Sequence, residues 1–121
     1  MWIFARRGFI SIVKHRSEPG GLLVRARFPG DIEALFPFAD VKCTPQHDYL
    51  FRATINRADV AAALTREIAG IDYGDFRESI GRGDPNRVAA YHAVWQDMKE
   101  AQDAADEEST TTTGAKDDAT D

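Results

Sequence analysis

Two runs decide the fold: Leu22-Leu23-Val24-Arg25-Ala26-Arg27-Phe28 and Tyr49-Leu50-Phe51-Arg52-Ala53-Thr54-Ile55. In the first, Leu22, Val24, Ala26 and Phe28 share one phase of a two-residue repeat, and Arg25 and Arg27 take the other. In the second, Tyr49, Phe51, Ala53 and Ile55 share a phase, with Arg52 and Thr54 opposite. Successive side chains of a strand point to opposite faces, so each run predicts a half-buried strand with its apolar phase inward. The corollary is chemical. Arg25, Arg27 and Arg52 are expected to face away from the core and, if the two strands are neighbours, to form one basic patch.

The segments around these runs extend the pattern. Pro29-Gly30-Asp31 ends the first strand and starts a short helix with Ile32, Leu35 and Phe36 on one face, limited by Pro37. Val41 to Thr44 is a short strand candidate, and Pro45-Gln46-His47-Asp48 turns the chain. Asn56 is the expected N-cap of a helix from Arg57 to Ala69 that buries Val60, Ala61, Leu64 and Ile68 and stops at Gly70. Upstream, Trp2 to His15 reads as extended, with Arg7-Gly8 a kink, bulge or tight turn. Downstream, Asp72 to Ile80 predicts a short helix capped by Asp72. Asp84-Pro85 then opens an amphipathic helix through Val88, Tyr91, Trp95 and Met98 to about Gln102.

From Leu22 to Ala69 the order is strand–helix–strand–strand–helix, a split βαβ unit of ferredoxin-like character that the N-terminal strand would complete. The expected fold is therefore α+β: a two-layer sandwich with a mostly antiparallel sheet of about four strands, helices on one face, and a C-terminal helix.

Composition narrows the function classes. The chain has 121 residues, a net charge of -5 and one cysteine, against a disulfide scaffold or a Cys-rich zinc module. No apolar run is long enough for a membrane span, and the N-terminus has no signal-peptide pattern, so a cytoplasmic location is expected. Residues 101–121 hold seven acids and one lysine. Low hydrophobicity there predicts one α+β domain over 1–103 and a disordered acidic tail over 104–121. Residues 1–57 carry nine Lys and Arg against five acids, so the first half is the basic half.

The Arg25/Arg27/Arg52 patch is the candidate partner-binding site, because guanidinium groups fork onto carboxylates or phosphates. Base stacking as in RNA-recognition sheets is disfavoured, since exposing Tyr49 and Phe51 would bury Arg52. His15, His47 and His92 are scattered, and Cys43 and His47 flank Pro45 without further ligands, so neither a metal nor a cofactor is expected. Asp72 and Asp75 among aromatics, with Cys43 or His47, make the weakest case, a small enzyme acting on an anionic metabolite. No nucleophile–base–orienter set can be named. Gly81-Arg82-Gly83-Asp84 reads as a capped connector, and Tyr91, Trp95 and Met98 read as core packing or, if exposed, an oligomer surface. The primary expectation is a non-enzymatic protein-binding module for a partner with an acidic surface, with a homodimer compatible. A nucleic-acid-binding accessory protein is the alternative.

Several residues carry a resemblance: Trp2, Phe4, Gly8, Phe9 and Ser11; Val24-Arg25-Ala26-Arg27; Asp48-Tyr49 with Phe51-Arg52; Asp72-Tyr73 with Phe76; and Tyr91-His92 with Val94, Trp95 and Met98. Over about residues 1–100 the chain resembles a family of small soluble proteins of bacteria and their phages that opens Met-Trp-x-Phe-Thr-x-x-Gly-Phe-x-Ser. Ala5 replaces the usual Thr, and Gly74-Asp75 and Arg77 stand where Asp-Asn and Lys are usual. The resemblance implies a cytoplasmic, bacterial or phage setting and no particular activity.

Overall fold

The computed structural model of the chain describes residues 1–113, with side chains described through residue 109. It divides into two compact units, Met1–Ile80 and the residues from Gly81 on.

The first unit holds β1 (Trp2–Ala5), β2 (Gly8–Lys14), β3 (Gly21–Ala26), α1 (Asp31–Leu35), β4 (Lys42–Cys43), β5 (Phe51–Asn56), α2 (Arg57–Ala69) and α3 (Phe76–Ser79). The strands form one sheet in the order β1-β2-β3-β5-β4, every neighbouring pair antiparallel. The fold is α+β, with five strands rather than about four. The extra strand comes from the N-terminal segment, which is a hairpin: Ala5 pairs with Gly8 and Trp2 with Ser11 across a turn at Arg6-Arg7. Hairpin turns favour residues with positive φ, typically Asn-Gly. Here neither turn residue is glycine and neither has positive φ, so the usual signature is missing.

The core lies between one face of this sheet and the two longer covering segments. Ile10 and Ile12 of β2, Val24 and Ala26 of β3, and Ala53 and Ile55 of β5 pack with Ile32, Leu35 and Phe36 around α1 and with Val60 and Ala63 of α2. Asn56 caps α2 as expected, its Oδ1 accepting from the Ala58 N–H at 2.7 Å. Two residues assigned to the core phase lie outside it. Phe28 follows the end of β3 and is exposed; Tyr49 precedes β5 and is buried as expected, but against Arg25 and Arg27 and not in the main core cluster, so strand alternation does not govern either side chain. On α2, Val60 and Leu64 face the core as expected, but Ala61 and Ile68 are exposed while Ala63 is buried, which rotates the covering face by about 60°.

One contact ties the N-terminal hairpin to α1. Asp31 is almost fully buried, and its Oδ2 accepts from the Phe9 N–H at 3.0 Å. A Cβ on Gly8 would lie 2.8 Å from the Asp31 carbonyl oxygen and 3.1 Å from its Cα. Gly8 has no positive φ, so glycine is needed here for proximity, not for backbone freedom.

α3 is shorter than the sequence suggests and is capped by Asp75, whose Oδ1 accepts from the Glu78 N–H. Asp72 is not its cap but pairs with Arg6 at 3.5 Å.

In the second unit α4 runs Pro85–Thr113. Asp84 opens it: Oδ1 accepts from the Arg87 N–H at 3.2 Å and Oδ2 from Arg87 Nε at 2.8 Å. The Arg87 hydrogen bond holds the Asp84 carboxyl below the usual carboxylate range. The helix passes the stop expected near Gln102, and the boundary at residue 103 falls inside it. Ala, Gln and Glu dominate 101–108, and these are strong helix formers that need no buried face to extend an existing helix. Of the segment 104–121, residues 114–121 lie outside the described residues. No helix among the described residues is long and apolar enough to cross a membrane.

Candidate functional site

Strand register brings most of the expected patch together. Val24 and Ala26 are buried in the core, so Arg25 between them projects from the opposite face. Arg52 does the same between Phe51 and Ala53. The two arginines are direct partners across β3 and β5, and Lys42 on β4 is the partner of Arg52. On the other side Ser11 of β2 partners Arg25. One row therefore crosses the sheet as Ser11, Arg25, Arg52 and Lys42. Directly opposed side chains sit about 5 Å apart at Cβ, and like charges in that position repel.

The environment of each cation differs. Arg25 donates to Ser11 Oγ at 2.9 Å, and its guanidinium lies 4.6 Å from the centre of the Tyr49 ring. Arg52 makes no hydrogen bond or ion pair with a described side chain. In both residues Nε is buried and meets no acceptor. A buried donor without an acceptor is destabilising by about 1–3 kcal/mol, and an incoming anion that supplied the acceptor would recover part of it. Lys42 is exposed and lies 3.1 Å from Asp40, itself exposed, so that pair is weak and screened by salt.

Arg27 stands apart. It is a bidentate partner of Asp48, with NH1 to Oδ1 at 3.0 Å and NH2 to Oδ2 at 3.3 Å, and it also reaches the Asp48 carbonyl. Its guanidinium lies 4.2 Å from the Tyr49 ring centre. The Arg27 hydrogen bonds hold the Asp48 carboxyl below the usual range. Arg27 is thus charge-compensated, and Tyr49 is held between Arg25 and Arg27 with only 5% of its surface exposed. An aromatic so enclosed offers no free ring face to a nucleobase.

Beside the row lies a concavity of about 370 Å³, lined among others by His15, Asp40, Lys42, Thr44, Arg52 and Thr54. His15 Nδ1 accepts from the N–H groups of Ser17 and Glu18, so Nε2 remains as its donor. The sequence identified Arg25 and Arg52 but missed Lys42, His15 and the position of Tyr49. Lys42 sat in a recognised strand candidate, and only the β4–β5 register reveals its place beside Arg52.

The other candidates are not assembled into a reactive centre. Cys43 is exposed on β4, Asp72 pairs with Arg6, and Asp75 caps α3. Among the described residues no group of three or more His, Cys, Asp and Glu side chains is placed to hold a metal ion.

Comparison with known proteins adds nothing to this site. No protein-family model matches the chain, and no curated protein or solved structure is significantly similar to it. The resemblance noted in the sequence therefore assigns no residue a role here.

Proposed function

We propose that the protein is a non-enzymatic binding module whose Arg25–Arg52–Lys42 row receives acidic side chains of a partner protein. The observation that carries this reading is the direct opposition of Arg25 and Arg52, each with a buried Nε that lacks an acceptor. A sheet that places like charges face to face is destabilised by them, and a carboxylate arriving between two planar guanidinium forks removes the repulsion and fills the donors. Arg27 serves by clamping Tyr49 and Asp48 beside the row, not by meeting the partner directly.

A protein partner is favoured over nucleic acid. Tyr49 is enclosed, so the row has no stacking platform, and the chain's net charge of -5 opposes a polyanion. We place the module in the bacterial cytoplasm, encoded by the bacterium or by a phage, on the strength of the opening-pattern resemblance, and a homodimer is compatible with it. For its architecture we read β3–α1–β4–β5–α2 as a ferredoxin-like split unit. Support for that is the order β3-β5-β4, in which the segment's third strand lies between its first and second, with β2 beside the first.

The test is a pull-down from host lysate with wild type and with the combined Arg25→Gln, Arg52→Gln, Lys42→Gln variant, followed by reconstitution with the purified partner. Loss of the partner from the variant supports the reading. Equal recovery by both proteins removes it. Recovery of nucleic acid instead, with affinity falling steeply and log-linearly as salt rises, would assign the row to phosphate contacts.

A further inference from the structure

A second concavity, of about 510 Å³, lies at the other edge of the first unit, between β1, α1 and the C-terminal turns of α2. Its volume is in the range of small-molecule sites, which are mostly apolar with a few convergent polar groups. Leu35 of α1, Ile68 of α2, Ile71 and Tyr73 supply apolar walls. Ile68 is 70% exposed and Ile71 53% exposed, so two large aliphatic side chains stand in water next to a hollow.

The charges around it are unequal. Arg6, Arg7 and Arg66 line the concavity with Glu67. Arg7 pairs with Glu67 at 2.8 Å, and Arg6 pairs with Asp72 at 3.5 Å while resting 5.7 Å from the Tyr73 ring centre. Arg66 makes no ion pair or side-chain hydrogen bond with any described residue. Three guanidinium groups thus face two carboxylates, leaving one positive charge at Arg66. The end of α2 also points its carbonyls here, which would disfavour an anion. Two of them are already engaged, Arg66 O by the Gly70 N–H and Ile68 O by the Ile71 N–H.

We infer that this concavity is a binding site for a small amphiphile with an apolar body and a single carboxylate head. The body lies over Ile68, Ile71 and Leu35, and the head meets Arg66, with Tyr73 and the paired Arg6 and Arg7 at its flank. One uncompensated cation matches one negative charge, whereas a dianionic phosphate head would leave an excess. The inference does not rest on the arginine row of the sheet, which lies on other strands and the opposite sheet face.

Decanoate, kept below its aggregation concentration, is the probe, with decanol as its neutral counterpart, followed by methyl NMR of the full chain. Decanoate is expected to give saturable shifts centred on the methyls of Leu35, Ile68 and Ile71, with about tenfold weaker binding in Arg66→Gln. Decanol should bind more weakly and be indifferent to Arg66→Gln. Ile68→Gln, at an exposed position that the fold does not need, should weaken both probes alike. Non-saturable shifts, shifts centred elsewhere such as on Val94 or Met98, or equal decanoate affinity in Arg66→Gln would overturn the assignment.

Discussion

The two faces of the sheet are made from alternate residues of the same strands, yet they obey opposite rules. On one, Val24, Ala26, Ala53 and Ile55 meet α1 and α2, are almost fully buried, and contain no polar group that lacks a partner. On the other, Arg25 and Arg52 oppose each other with two buried donors unfilled. The first face holds the fold together. The second weakens it locally, which a protein tolerates where another molecule supplies the missing group.

Substitutions on the two faces should therefore differ in sign as well as in size. Ile10→Ala empties a fully buried core position and should destabilise the protein by about 2–5 kcal/mol in urea unfolding. A loss within the range of surface substitutions would mean the core is not where the packing places it. Gly8→Ala brings a methyl against the Asp31 backbone and should cost about 1–3 kcal/mol. Asp31→Ala should cost a similar amount by leaving the Phe9 N–H unpaired.

Across the sheet, Arg52→Thr removes a like-charge opposition and introduces a good strand former. It should raise stability by about 0.2–1 kcal/mol while abolishing partner capture. If Arg52→Thr destabilised the protein as Ile10→Ala does, the contrast between the faces would collapse. Added salt should act in the same direction as Arg52→Thr, through screening, and its effect should shrink in that variant.

The smallest expected effect belongs to Arg27 and Asp48. The Asp48 carboxyl is held below its ordinary value by Arg27, so the pair's contribution is fully present above the unfolded carboxylate pKa and is lost as pH falls through the lowered folded value. Carboxyl NMR should place the Asp48 midpoint below the ordinary carboxylate value, and Arg27→Gln should return it there. An unchanged midpoint in that variant would show that Arg27 does not hold Asp48.

Much of this contrast was legible in the sequence, because a two-residue repeat fixes which side chains share a face wherever the strand is regular. β3, β5, α2 and the outward direction of Arg25 and Arg52 follow from that rule and from the Asn56 and Gly70 signals. Apart from the rotated face of α2, failures occurred where regular structure stops. Tyr49 and Phe28 each sit two residues beyond a strand end, where the alternation no longer holds. The hairpin reads in sequence as one extended segment with a kink, bulge or tight turn at Arg7-Gly8, because the turn residues Arg6-Arg7 carry none of the chemistry that would single out the hairpin. Lys42 could be placed beside Arg52 only by register, which depends on long-range pairing that no local pattern encodes. The concavity beside α2 was invisible for the same reason: Arg6, Leu35, Arg66 and Ile71 are far apart in the chain.

The close approach of Gly8 to Asp31 links parts of the molecule that look independent. Residue 31 starts the short helix that ends at Leu35, a wall of the α2-side hollow, while Gly8 follows directly on Arg6 and Arg7 at its rim. Enlarging residue 8 would push that helix and the turn apart together. A methyl at position 8, far from any cation proposed to touch a ligand, should thus alter the shape of the hollow as well as the melting temperature.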